Sequence, residues 1–428
     1  MYTYVIVPAS VDPAAGRSAR REPGLKWCRF GDRVIYWTTG IAQSSAGRRV
    51  RTLGPVSQSS QGLLHLVVQA GNSFREEFPE VPVILDRGRY LAVELSDEEF
   101  MRASVGNPAH FGVRPLPQNS SIVRETGGAG RRLRAVDPTL TMFANEVSAT
   151  HVKDSLVALT GFGTRHSLSQ GFVQAGAWVT EVLQSLGYAV TRATISVGAG
   201  ASFSVIGDKP GLRDNPELVL VTAHLDSTNH VDGPLAPAPG ADDNGSGCAG
   251  VLEIARILAG RADDQDLRLV LFGGEEQGLF GSEQYVRALS EHDRGRLQAV
   301  INMDMVGTLN SALPGVLLEG GPLSQGLIDE LTASAQDYTT LAVEVSLTPF
   351  ASDHVPFLNA GLPAVLTIEG SDSTNNNIHS SRDTLDRVNY PLACEIIKMN
   401  LVTTARLIGT RASIADLERW RQSTTNVD

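Results

Sequence analysis

Cysteine is scarce in this chain. There are three in 428 residues, Cys28, Cys248 and Cys394, far apart and odd in number. That usage excludes a disulfide framework and a cysteine-based zinc site, and predicts buried free thiols. Long apolar runs are missing as well. None approaches the ~18–20 residues needed to cross a bilayer, so no membrane partner is expected. The opening Met1-Tyr-Thr-Tyr-Val-Ile-Val-Pro8 has neither a basic stretch nor a long apolar core. As written it predicts a cytoplasmic chain, or a secreted one whose leader has been removed. Charged residues at 19% and hydrophobic residues at 42% exclude a disordered or fibrous protein. The length exceeds what one ordinary core supports, so more than one domain is expected.

The net charge of −11 is unevenly placed. Residues 1–137 hold 18 Lys/Arg against 13 Asp/Glu, and the remainder holds 18 against 34. A basic N-terminal part and an acidic remainder attract one another within one chain. The arginine-rich stretches Gly47-Arg-Arg-Val-Arg51 and Gly130-Arg-Arg-Leu-Arg134 are short and lack an aromatic platform. Set in an acidic protein, they do not indicate a nucleic-acid partner.

Residues 1–135 read as a β-rich accessory or prodomain-like region. Short strands at Tyr2–Val7, Arg33–Trp37, Leu63–Val68, Val81–Leu85 and Tyr90–Glu94 are separated by Gly, Ser and Pro. Ser96-Asp-Glu-Glu99 then reads as a helix N-cap with an acidic first turn, and Gly127–Gly130 as a linker. From 136 to 428 helix and strand alternate. The strands expected at 218–224, 267–272, 299–305 and 364–368 are interleaved with helices at 246–259, 282–289, 353–360 and 392–408. This order predicts an α/β sandwich with a mainly parallel central sheet, whose ligands gather at the carboxyl ends of the strands.

At those ends the chemistry collects. Leu218-Val-Leu-Val221 runs into Thr222-Ala-His224-Leu-Asp226-Ser, and Gly240-Ala-Asp242-Asp243-Asn-Gly-Ser-Gly247 follows. Then come Gly274-Glu275-Glu276, Asn302-Met-Asp304-Met and Asn377-Ile-His379-Ser. Each alone has a bland reading. A lone His after a strand is usually packed or exposed, Asp-Asp is a turn, and Glu-Glu is a solvated charge pair. Asp304 is harder to dismiss, because a carboxylate within the apolar run Val300–Val306 needs a partner such as a cation. Together the clusters supply two imidazoles and several carboxylates, the inventory of a two-metal hydrolytic centre. Asp226, two residues from His224, is placed to orient the imidazole.

The segment from about 145 to 410 resembles the M28 family of co-catalytic zinc aminopeptidases. The matching motifs are His224-Leu-Asp226-Ser, Gly240–Gly247, Gly274-Glu-Glu-Gln-Gly-Leu-Phe-Gly-Ser282, Asn302-Met-Asp304-Met, Ser352-Asp-His354 with Gly361-Leu-Pro363, and His379-Ser-Ser-Arg-Asp383. Residues 1–135 are outside the resemblance. It implies a three-layer α/β sandwich with a mixed, mainly parallel sheet and two Zn2+ ions. In it Asp242 bridges the ions, His224 and Asp304 complete one, Glu276 and His379 complete the other, and Glu275 is the general base. It also implies a cis peptide between Asp242 and Asp243. Relatives place a tyrosine near the oxyanion where this chain has Ile378 or Pro349-Phe350, so that hydroxyl is missing or comes from elsewhere. The implied activity is removal of N-terminal residues from a peptide. A carboxypeptidase, a dipeptidase or a hydrolase of another small amide would use the same site. A glutaminyl cyclase would use one zinc, and a binding module would use none.

Overall fold

The structure, a computed structural model, describes residues 2–11, 24–39, 57–59, 62–105, 111–126, 136–413 and 416. The arginine-rich stretches and the glycine-rich stretch 127–130 lie outside the described residues. The chain divides into two compact units: 1–127 with 344–351 and 371–376, and 128–343 with 352–370 and 377–428.

In the first unit, β1 (Tyr2–Pro8), β2 (Leu25–Phe30), β3 (Arg33–Thr39) and β4 (Ser57–Ser59) join β9 (Ser120–Glu125) in one sheet. Glu344, Val345 and Ser346, from much later in the chain, pair antiparallel with β9. A second, antiparallel sheet runs β6-β7-β5-β8, from β5 (Leu63–Gln69), β6 (Val83–Arg87), β7 (Tyr90–Leu95) and β8 (Phe111–Pro115). Phe74, Phe78 and Phe111 pack against Val67, Leu91 and Val93 to form its core. The expected cap is present. Ser96 accepts from the Glu99 N–H while the Glu99 carboxylate accepts from the Ser96 N–H, which starts helix Asp97–Ser104.

The second unit holds β10 (Ala189–Val197), β11 (Gly200–Lys209), β12 (Leu218–His224), β13 (Asp266–Phe272), β14 (Leu297–Met303), β15 (Gly315–Gly320) and β17 (Ala364–Glu369), with β16 (Ala342–Ser346) divided between the units. Its strand order is β10-β11-β13-β12-β14-β17-β15. The pairs β13·β12, β12·β14 and β14·β17 are parallel and the flanking pairs antiparallel. β12 lies at the centre and every residue of it is buried, which is why its first four residues, Leu218–Val221, are all apolar. Alternation sends Leu218 and Leu220 towards Val286 and Phe357, on helices Phe280–Ala288 and His354–Asn359. The opposite layer is built from helices Ala149–Thr160, Gly245–Leu258 and Tyr390–Ile408, which pack on one another. Gly250 sets the close approach there, since a Cβ at that position would lie 2.9 Å from Met303 Sδ. The result is the α/β sandwich with a mixed sheet and parallel centre expected from the sequence.

Cys28, Cys248 and Cys394 are free and buried, as expected. No helix of the described residues is long and apolar enough to cross a membrane.

Candidate metal centre

The site forms where the parallel strands end. His224 is the last residue of β12 and Asp304 follows β14, while Glu275 and Glu276 sit in the turn after β13. His379 arrives on the loop after β17, in a left-handed conformation (φ 52°) that a non-glycine residue adopts only where its surroundings enforce it. The Asp243 carboxylate stands between the two imidazoles, with Oδ1 3.2 Å from His224 Nε2 and Oδ2 3.0 Å from His379 Nε2. Asp304 Oδ1 is 3.2 Å and Glu275 Oε2 3.9 Å from His224 Nε2, and Glu276 Oε2 is 3.3 Å from His379 Nε2.

Two sequence expectations are corrected here. The residue between the imidazoles is Asp243 and not Asp242, and the cis peptide is Asp243–Asn244 and not Asp242–Asp243. Asp242 is turned away from the imidazoles. Its Oδ1 accepts from the Gly307 N–H at 2.8 Å and the Ser246 hydroxyl at 3.0 Å. The backbone path decides this. Asp383 accepts the N–H groups of both Asp242 and Asp243 at 2.9 Å. Asn244 caps helix Gly245–Leu258 through the Gly247 N–H, so the residue directly before the cap is the one aimed at the strand ends.

Asp226 meets the His224 ring through its main chain rather than its carboxylate. His224 Nδ1 lies 3.1 Å from the Asp226 main-chain carbonyl and 3.6 Å from its carboxylate. A proton on Nδ1 is donated to that carbonyl, so Nε2 is the ring nitrogen that faces the cluster. The Asp226 carboxylate instead accepts the N–H groups of Glu275 at 3.3 Å and Glu276 at 3.1 Å, fixing the turn that presents both acids. Asp304 is held by a buried relay. Thr222 Oγ1 donates to Asn302 Oδ1 (2.7 Å), Asn302 Nδ2 to Ser352 Oγ (2.9 Å), and Ser352 Oγ to Asp304 Oδ2 (2.7 Å).

Electrostatically the cluster is short of positive charge. Among the described residues, Asp243, Glu275, Glu276 and Asp304 pair with imidazoles and with no Lys or Arg. Burial, reinforced by neighbouring carboxylates, pushes Glu275 and Glu276 well above the usual carboxylate range. Burial acts the same way on Asp243, yet hydrogen bonds from His224 and His379 outweigh it and hold that group well below the range. Burial disfavours charge on His224, but Asp304 and Glu275 overcome it and raise its pKa well above the ordinary value. Glu276 Oε1 is buried without a hydrogen-bond partner. Imidazole nitrogens and carboxylate oxygens facing one another at these distances could hold a divalent cation, and the donor types suit zinc.

Sequence reasoning missed a buried cation behind the site. Arg165 is fully buried and donates to the carbonyls of Leu225 (2.8 Å), Pro239 (2.6 Å), Gly240 (2.9 Å) and Leu159 (3.3 Å). It thereby ties the end of β12 to the turn carrying Asp242 and Asp243. No motif marks it. Its neighbours Gly163-Thr-Arg-His166 form an ordinary loop sequence, and only the fold brings the two flanks together. Arg165→Met strands these carbonyls without donors, so unfolding stability should fall by about 3 kcal/mol. A urea midpoint equal to that of the unmodified chain would remove this role.

Relatives with curated names are similar in sequence over parts of this chain. Aminopeptidase YwaD of Bacillus subtilis (strain 168) is 34% identical over 192 residues, 44% of this chain and 40% of that protein. The match thus spans less than half the length of that relative. Leucine aminopeptidase 1 of Coccidioides posadasii (strain C735) is 29% identical over 284 residues, 61% of this chain and 72% of that protein. Among solved structures, the zinc aminopeptidase BSAP from Bacillus subtilis shares the fold with a TM-score of 0.54 at 18% identity, over 63% of this chain and 98% of that one. The family model of peptidase family M28 matches residues 204–404, the span that contains every facing carboxylate and imidazole described above, so this part of the chain is similar to peptidase family M28.

Proposed function

We propose that the second unit is a two-zinc exopeptidase, an aminopeptidase that removes N-terminal residues from peptides. The observation that carries this reading is the Asp243 carboxylate set between His224 and His379, with Glu275 beside it. His224, Asp243 and Asp304 would hold one ion, and Asp243, Glu276 and His379 the other. Bound there, the cations make a water nucleophilic near neutral pH and polarise the scissile carbonyl.

The chain's own groups do the rest. Glu275 is held by its backbone on Asp226, and its buried carboxyl has an unusually high proton affinity. That suits a base which takes the nucleophile's proton and hands it to the leaving amine. Asp226 positions Glu275 and Glu276 together, and the Ser352 relay keeps Asp304 directed at His224. The relatives' names, aminopeptidase and leucine aminopeptidase, support the amino-terminal direction.

The test is a panel of free and N-acetylated aminoacyl substrates, with metal analysis. Free substrates should be cleaved, chelation should abolish cleavage, zinc should restore it, and acetylated substrates should be rejected. Equal cleavage of blocked substrates would replace this reading with a carboxypeptidase, dipeptidase or other amide hydrolase. Pyroglutamate formation with one zinc per chain would replace it with a cyclase.

A further inference from the structure

One imidazole beside this centre has no part in the roles above. His230 lies in the loop between β12 and helix Gly245–Leu258. Its N–H donates to the His379 carbonyl at 2.8 Å. Its ring centroid is 4.5 Å from that of His379, with the planes inclined by 56°. A ring nitrogen of His230, one of His379 and a carboxylate oxygen of Glu276 all lie within 4.8 Å of one another.

The loop is built to keep that ring in place. Asn229 is fully buried, and its Oδ1 accepts from the N–H groups of Val231 (2.9 Å) and Asp232 (2.8 Å). Its amide donates to the Pro237 carbonyl at 2.8 Å and to Asp232 Oδ2 at 3.2 Å. The residue before His230 is therefore locked into the interior, while the backbone of His230 is tied to that of His379. His230 itself is exposed, as are Val231 and Asp232 after it.

We propose that His230 is an additional, displaceable protein ligand to the cation held by Glu276 and His379. The proposal rests on the two-ion reading above. It makes the two halves of the centre chemically unequal. One half would offer two imidazoles with Asp243 and Glu276, the other a single imidazole with Asp243 and Asp304. The imidazole-rich half favours zinc, copper, nickel or cobalt over magnesium and manganese. Four protein donors close a tetrahedral zinc site, whereas a catalytic ion keeps a position open. The donor that yields to the incoming substrate is then the ring on the exposed loop, because its departure moves no strand or helix.

The deciding experiment titrates metal-free chain with Zn2+ against a competing chelator, and repeats it with Co2+ followed by visible absorption. Wild type, His230→Ala and His230→Phe are compared, with circular dichroism in chelator as the check on folding. Phenylalanine keeps a ring against His379 and removes the nitrogen. Both variants should bind one of the two ions at least ~10-fold more weakly, leave the other within about threefold, and alter the Co2+ spectrum. If His230→Phe binds both ions like wild type, the ring only packs and the proposal is overturned. The same holds if neither variant changes affinity or spectrum. A wild-type chain that takes up no ion would sink the two-ion reading as well. Two tightly bound ions with unaffected variants would sink only the role of His230.

Discussion

Glu275→Gln should keep its metal ions and lose its turnover. The substitution preserves the size of the side chain and the N–H that binds Asp226, so the turn presenting Glu276 stays in place. It removes the only property the reaction needs at that position, a carboxylate able to take and return a proton. General acid–base groups contribute ~10²–10⁴ in rate, so kcat should fall by about 10³, with KM little changed. That corresponds to roughly 4 kcal/mol of barrier. The contrast with Glu276 sharpens the result. Its Oε2 lies 3.3 Å from His379 Nε2, whereas Glu275 Oε2 stands 3.9 Å from His224 Nε2, so with Glu276 as the proposed ligand Glu276→Gln should lose metal as well as rate. Turnover of Glu275→Gln within tenfold of wild type, at full metal content, would take the base away from Glu275.

How much of this was legible in the sequence differs by element. β12 was read to the residue, because a strand buried on both faces opens here on the apolar run Leu218–Val221 and ends at a polar histidine. The helices expected at 246–259 and 392–408 are present as Gly245–Leu258 and Tyr390–Ile408, each an apolar-periodic stretch behind an asparagine cap, whereas Pro138–Asn145 and Glu291–Arg296 were not anticipated. β2, β8 and β9 were not. Phe111-Gly-Val-Arg-Pro115 contains glycine and proline, and β9 is stabilised by partners from opposite ends of the chain, Cys28–Phe30 and Glu344–Ser346. Local pattern carries no information about such pairings. The excursions 344–351 and 371–376 into the first unit are invisible for the same reason.

The site shows the same division. Residue types and their order along the chain were readable, because facing carboxylates and imidazoles have few other uses at strand ends. Which of two adjacent aspartates faces inward was not, because it depends on Asp383 and Asn244 fixing the backbone around them. Arg165 and His230 act through carbonyls and a neighbouring ring, contacts that leave no spacing in the sequence.

Substitution of the two adjacent aspartates should therefore give opposite outcomes. In Asp243→Asn the imidazoles of His224 and His379 lose the one carboxylate that reaches both, and the amide that replaces it offers a single oxygen. Affinity for at least one zinc ion should drop by more than ~100-fold, beyond the 10–100-fold typical of removing a group that merely orients a ligand. Activity should go with it. In Asp242→Asn the remaining oxygen can still accept from Gly307 and Ser246. The side chain there faces a second buried acid, Glu369, which burial and Asp242 together raise well above its ordinary value. An amide at position 242 can itself donate to Glu369, so zinc affinity should stay within about tenfold and any cost should appear in stability. Competition titration with a zinc chelator reads both variants on one scale. If Asp242→Asn loses the metal and Asp243→Asn keeps it, the bridging position belongs to Asp242. The geometry argues for the reverse, because the Asp242 carboxylate is engaged by the Gly307 N–H, the Ser246 hydroxyl and Glu369, whereas that of Asp243 meets both imidazoles.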